Sequence, residues 1–189
     1  MSARHAAIVL AAGASRRMGR PKQLIKIDGE TLIRRIALVA LATAPTRTLI
    51  MVGAYADEVF AKVADLEVER VDCPGWDEGM AASLRTGIAA LRRADGDGAL
   101  LLLCDQPGLD DAHLREICAA WRRDQSCAVA SAYADTIGVP ALLPRSWFAD
   151  LRALQGDSGA RELLRRRGSR VVAIEAPVLA RDIDSPGDC

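Results

Sequence analysis

Two sets of residues in this sequence have the types and spacing to handle a highly charged ligand. The first is Gly13-Ala14-Ser15-Arg16-Arg17-Met18-Gly19-Arg20-Pro21-Lys22, which follows an apolar run ending in Leu10-Ala11-Ala12. Small residues where a strand opens into a loop let a bound group approach the backbone closely. Consecutive main-chain N–H groups there can cradle phosphate oxygens, and Arg17 and Lys22 would supply cations to the same charge. The loop is neither of the common phosphate fingerprints. A Walker A loop needs its Lys directly after the second Gly, whereas two residues separate Gly19 from Lys22, and no G-x-G-x-x-G occurs. A solvated basic loop after an edge strand is the other reading of these residues. The second set is Asp105-Gln106-Pro107-Gly108, directly after the most apolar run in the chain, residues 99–104. A carboxylate leaving a buried strand suits Mg²⁺, which usually takes one or two carboxylates together with phosphate oxygens. Asp105 opening a turn ahead of Pro107 would read the same way.

Three further stretches are candidates of lower information. Gly79-Met80-Ala81-Ala82-Ser83-Leu84-Arg85 opens a helix, where backbone N–H groups can meet a base or ribose edge. Ordinary capping accounts for it equally. Gly156-Asp157-Ser158-Gly159-Ala160-Arg161 is a second glycine-bracketed turn, a candidate anion contact, and Asp182-Ile183-Asp184 could bring a second carboxylate. Arg165-Arg166-Arg167 reads as a solvated helix end.

These residues need a scaffold, and the hydrophobic pattern supplies one. Residues 6–12 (AAIVLAA), 48–52 (TLIMV) and 99–104 (ALLLLC) are continuous apolar runs of strand length, as strands buried on both faces should be. Further strands are expected over residues 67–71, 127–133, 141–143 and 170–174. Helical spacing occupies residues 32–42, 55–64, 80–92, 110–123, 146–154 and 160–167. Strands alternating with helices predict a single domain over residues 1–189. The expected architecture is a three-layer α/β/α sandwich on a Rossmann-like, mostly parallel sheet. Ligands of such sheets bind at the carboxyl ends of the strands.

Composition excludes several classes. Lys plus Arg and Asp plus Glu number 25 each, so the basic excess usual for gripping a nucleic-acid backbone is missing. The cysteines at 73, 104, 118, 127 and 189 form no Cys-x-x-Cys pair and read as free thiols in a reducing cytoplasm. Arg4-His5 followed by residues 6–12 loosely imitates a signal peptide, but the basic residues 16–22 follow the supposed cleavage point, and a buried first strand is the better reading. No other apolar run approaches the roughly 20 residues needed to span a bilayer. A cytoplasmic protein without membrane contact is expected.

Taken in order, the motifs resemble the MobA-like NTP transferase family, and within it the molybdenum cofactor cytidylyltransferase (MocA-like) branch. The resemblance covers nearly the whole chain. Its most specific element is Leu10-Ala11-Ala12-Gly13-x-Ser15-x-Arg17-Met18-Gly19-x-x-Lys22. Gly79-Met80-x-x-Ser83-Leu84, Asp105-Gln106-Pro107, Gly156-Asp157-x-Gly159-Ala160-Arg161 and Asp182-Ile183-Asp184-Ser185-Pro186 follow in the family's order. The resemblance implies the sheet of nucleotide-diphospho-sugar transferases. It implies an NTP whose triphosphate lies on the loop from Gly13 to Lys22, with Gly79 and Ser83 near the base. Mg²⁺ would sit on Asp105 and Asp184, the latter matching an aspartate of the related cytidylyltransferases. Ala12 in Leu-Ala-Ala-Gly implies CTP, and the implied acceptor is molybdopterin, with a molybdoenzyme or its chaperone as a candidate protein partner. The chain departs from the family at Cys73-Pro74, where relatives often carry Asn-Pro, and at Gly138-Val139-Pro140, where they often carry Gly-His-Pro. Both departures bear on the acceptor more than on the reaction. A different phosphorylated acceptor, a non-catalytic cofactor chaperone and a nicotinamide-dependent redox enzyme are the alternatives.

Overall fold

The computed structural model describes residues 3–181 and residue 183. In chain order the elements are β1 (His5–Leu10), a small hairpin of β2 (Lys26–Ile27) and β3 (Glu30–Thr31), α1 (Leu32–Leu41), β4 (Thr48–Val52), α2 (Ala56–Phe60), β5 (Glu69–Asp72), α3 (Met80–Ala90), β6 (Gly98–Leu103) and α4 (Asp111–Arg123). They continue with β7 (Ala128–Tyr133), β8 (Thr136–Pro144), α5 (Phe148–Arg152), α6 (Ala160–Arg166) and β9 (Val171–Glu175). Among the described residues, seven strands form one sheet in the order β5-β4-β1-β6-β8-β7-β9. Of these seven, only β8 runs against its neighbours, pairing antiparallel with β6 and β7. The expected mostly parallel sheet is what forms.

The sheet is covered on both faces, which is why its central strands are apolar throughout. In β1, Ala7 and Val9 face a cluster containing Ile33, Ile36 and Ala40 of α1 and Leu114, Ile117 and Trp121 of α4. The alternate residues Ala6, Ile8 and Leu10 face Ala81, Leu84 and Ile88 of α3 together with Leu151, Leu163 and Leu164 of α5 and α6. Each fully buried Leu or Ile here contributes about 1.5–3 kcal/mol. The helices therefore form two layers with the sheet between them.

Three elements differ from the sequence expectation. The helix expected over residues 55–64 is only Ala56–Phe60. After it the bonds tighten to the i→i+3 type, with Val63 N donating to Phe60 O and Leu66 N to Val63 O. The strand expected over 67–71 is Glu69–Asp72, an edge strand whose charged side chains suit its exposed side. The short strand expected over 141–143 is the nine-residue β8. Its partner register jumps from Ala130↔Ala141 to Ser131↔Gly138. Val139 and Pro140 thus form a bulge outside the ladder with β7, where a proline lacking an N–H is tolerated.

Candidate active site

β1 and β6 are parallel neighbours with Leu10 opposite Leu103. Their carboxyl ends emerge side by side, so the loop after β1 and Asp105 after β6 must face each other. The chain passes from β1 to β4 on one side and returns to β6 on the other, which makes this gap the point where strand order reverses. Lys22 Nζ lies 2.5 Å from Asp105 Oδ2, with the side chains 21% and 12% exposed. Two residues 83 positions apart are thereby joined at the centre of the sheet edge.

The loop is held by polar groups of its own. Ser15 adopts φ 51°, and its Oγ accepts a hydrogen bond from Lys22 N at 3.1 Å. Gln23 is 1% exposed. Its Nε2 donates to Ala11 O at 2.9 Å and to Gly13 O at 2.7 Å, and its Oε1 accepts from Ser15 Oγ at 3.3 Å. Met18 anchors the middle of the loop in a small cluster with Ile25, Leu32 and Ile183. At Gly13 a Cβ would meet nothing within 4 Å among the described residues, so the space beside that backbone is open to a bound group.

From β1 the cleft runs along the sheet edge past β6, β8 and β7 to β9, with a volume of about 1280 Å³. A pocket for one small ligand is roughly 300–1,000 Å³, so this one has room for two. Leu10, Arg17, Lys22 and Asp105 line it where β1 and β6 end, and Thr136, Ile137, Arg161, Arg165 and Glu175 line it toward β9. Between the two groups lies a buried link. Gln106 Nε2 donates to Tyr133 Oη at 3.2 Å and to Val139 O at 3.1 Å, and Tyr133 Oη donates to Val139 O at 2.8 Å. The bulged segment of β8 is thereby fixed beside the residue that follows Asp105.

The start of α3 meets the Gly156 turn. Gly79, the residue before α3, has φ 117°, and a Cβ on it would lie 2.6 Å from Gly156 O. Ala81 N donates to that same carbonyl at 3.1 Å. Two glycine motifs far apart in sequence thus pack together. Met80 and Leu84 line the cleft there, whereas Ser83 is buried and its Oγ donates to Cys73 Sγ at 3.7 Å. Ala11 and Ala12 are buried behind the loop, and Ala12 O accepts from Ala54 N at 3.1 Å.

Asp105 fits a divalent cation. Its Oδ1 is buried with no hydrogen-bond partner among the described residues, an arrangement that costs about 1–3 kcal/mol unless a ligand satisfies it. Among the described residues no group of three His, Cys, Asp or Glu side chains could hold a metal ion. Asp105 would hold it with phosphate oxygens of the ligand, as Mg²⁺ often is held. Asp184 lies outside the described residues, although Ile183 N donates to Asp105 O at 3.0 Å. The neighbouring thiol is inert, because burial foremost, and the Asp105 charge next, push Cys104 up to about 12.

Arg17, Lys22, Asp105 and Leu10 therefore come together in one cleft. Gly79 and Ser83 stand behind its wall rather than on it. Sequence patterning singles out neither Gln23 nor Tyr133. A polar amide directly after Lys22 and before the apolar Leu24-Ile25 is the available signal for the first, and a tyrosine ending a strand gives none for the second.

Residues 7–171 match the MobA-like NTP transferase domain. The chain belongs to this family. It is 30% identical over 169 residues to the purine catabolism protein PucB of Bacillus subtilis, covering 84% of this chain and 79% of that protein. It is 33% identical over 171 residues to the nicotine blue oxidoreductase of Paenarthrobacter nicotinovorans (85% and 81% covered). A probable molybdenum cofactor guanylyltransferase of Synechococcus elongatus is 32% identical over 118 residues (62% and 57% covered). Among solved structures, Rv0371c of Mycobacterium tuberculosis superposes with a TM-score of 0.84 at 30% identity, over 100% of this chain and 96% of that one. A manganese complex of the same protein gives 0.79 at 28% identity, over 98% and 95%. Family membership makes this chain a nucleotidyltransferase by type. No helix among the described residues is long and apolar enough to cross a membrane.

Proposed function

We propose that this protein transfers CMP from CTP to molybdopterin, with Mg²⁺ and with release of pyrophosphate. The observation that carries the reading is the Lys22–Asp105 contact at 2.5 Å, where the loop that follows β1 meets the carboxyl end of the neighbouring β6. It sets a cation-bearing loop and a metal-competent carboxylate where they can grip one polyphosphate from two sides. Ala12 in Leu-Ala-Ala-Gly favours cytosine through the family resemblance, and the similarity to a molybdenum cofactor guanylyltransferase favours a molybdopterin-type acceptor. The manganese complex of a similar mycobacterial protein favours a divalent metal.

In this scheme an acceptor phosphate oxygen attacks the α-phosphorus of CTP. A new P–O bond forms, the α–β P–O bond breaks, and the electron pair leaves with pyrophosphate. A phosphate monoester is largely ionised near neutral pH, so no strong general base is required. The protein's work is positioning and charge neutralisation. Arg17 and Lys22 offset charge on the leaving group, while Gln23 and Ser15 fix the loop that carries them. Leu10 and the Gly13 backbone form the floor under the nucleotide, with Ala11 and Ala12 packed behind it, and Gly79 and Ser83 shape the wall behind its base. Arg161 and Arg165 offer the acceptor its anion contacts. Mg²⁺ on Asp105, completed by Asp184, would supply Lewis-acid stabilisation of phosphate oxygens.

The test is pyrophosphate release from each of the four NTPs with and without molybdopterin. CTP turnover that depends on molybdopterin supports the proposal, and turnover with another phosphorylated acceptor alone would move the acceptor. No turnover with any NTP would favour a cofactor chaperone. Asp105→Asn should abolish release while leaving the fold intact, so near-normal activity in that variant would remove Asp105 from the metal role. The similarity to an oxidoreductase favours one second reading, a redox enzyme. Saturable NAD(P) binding in a fluorescence titration, with no NTP binding, would establish it instead.

A further inference from the structure

We propose that Lys22 is the resident counter-ion of Asp105, and that a divalent cation takes this carboxylate only as Lys22 leaves it, so that metal and nucleotide bind as a coupled pair. The inference rests on the reading of Asp105 as a metal ligand. It follows from the state of both carboxylate oxygens. Oδ2 is held by Lys22 Nζ at 2.5 Å, and Oδ1 is buried with no partner among the described residues. One oxygen is thus engaged by the ammonium and the other is shielded from solvent.

Charge counting gives the direction. The Lys22 ammonium and a dication would compete for the same Asp105 carboxylate, and two like charges held side by side on one carboxylate repel each other. With a polyphosphate present, Lys22 has phosphate oxygens to move to, and the dication then meets a carboxylate that the ammonium has left. The side chain can make this exchange without moving the loop. Ser15 Oγ holds Lys22 N and Gln23 clamps the carbonyls of Ala11 and Gly13, while the four-carbon lysine stem swings about its anchored backbone. Each ligand then raises the affinity of the other by the same factor.

The experiment is a Mn²⁺ titration of nucleotide-free protein by water-proton relaxation, on the wild type and on Lys22→Met, Lys22→Arg and Asp105→Asn. Thermal melts confirm that each variant is folded. Lys22→Met should bind Mn²⁺ about tenfold more tightly than the wild type, within the usual range of coupling between sites. Lys22→Arg, which keeps the charge, should match the wild type, and Asp105→Asn should bind far more weakly than any of them. Equal affinity in Lys22→Met and wild type, with Asp105→Asn weakened, would overturn the counter-ion inference and leave the metal role standing. Unchanged binding in Asp105→Asn would remove the metal role and the inference with it. Should Lys22→Met fail to fold, the ¹⁵Nζ resonance of Lys22 in the wild type reads the same exchange. It should shift as Mg²⁺ saturates the protein, and a signal that stays in place overturns the proposal.

Discussion

Gln23 spends both donors of one buried amide on the carbonyls of Ala11 and Gly13 and accepts from Ser15 as well. Gln23→Leu would keep the volume and leave those carbonyls without their partner, at a cost of about 1–3 kcal/mol. The loop backbone that presents Lys22 would lose its clamp. The KM for the nucleotide should therefore rise roughly tenfold with a smaller change in kcat, the pattern of lost ground-state binding. Steady-state kinetics at varied NTP check this, and a variant with unchanged KM would show that the loop holds its shape without the amide. Lys22 and Asp105 are readable from sequence because the first closes a glycine-bracketed basic loop and the second directly follows an unbroken apolar run. Gln23 is not, since its work is a set of hydrogen bonds to backbone atoms that only the folded loop brings within reach.

Elements show the same division between what patterning writes and what packing decides. The parallel strands β1, β4 and β6 are legible because burial on both faces demands an unbroken apolar run. β8 is not, because Gly138 and Pro140 look like breakers and are in fact tolerated at a bulge where β7 changes register. The hairpin of β2 and β3 is too short to show a period, although Asp28-Gly29 stands at its turn, both with positive φ. At the head of α3, Gly79→Ala would force a Cβ against Gly156 O and Asp157 Oδ1 at φ 117°. Strain and overpacking together should cost about 2–5 kcal/mol, measured by urea unfolding. In β1, His5 Nε2 donates to Thr43 Oγ1 at 2.9 Å, since that hydroxyl already donates to Ala40 O. Burial first, and Arg122 second, lower the His5 pKa from 6.5 to about 4. Below 6.5 the unfolded chain takes up a proton that the folded one refuses, so stability is full above about 6.5 and falls toward pH 4. The loss between pH 7.5 and 5 should be about 2 kcal/mol. His5→Gln should flatten this part of the urea-midpoint profile, and an unchanged slope would place the acid sensitivity elsewhere.

At the scale of the whole molecule, the apolar core and the candidate site occupy different regions. Two apolar layers hold the sheet, and the polar cleft occupies its carboxyl edge, where the Asp105 carboxylate keeps a buried oxygen without a partner among the described residues. A ligand that satisfies this edge stabilises the native state without repairing the core, so binding should appear directly in the melting temperature. At a hundred times its dissociation constant, a nucleotide adds about 2.7 kcal/mol. For a chain of 189 residues each kcal/mol is worth about 2–4 °C, giving a rise of roughly 5–10 °C. With Mg²⁺, CTP should produce the largest shift of the four NTPs at equal concentration. Asp105→Asn should lose the Mg²⁺-dependent part of that shift and keep whatever the loop cations supply alone. The comparison separates reaction class from base preference. Equal shifts from all four NTPs would keep the polyphosphate site and discard the choice of cytosine, and no shift from any of them would discard the site itself.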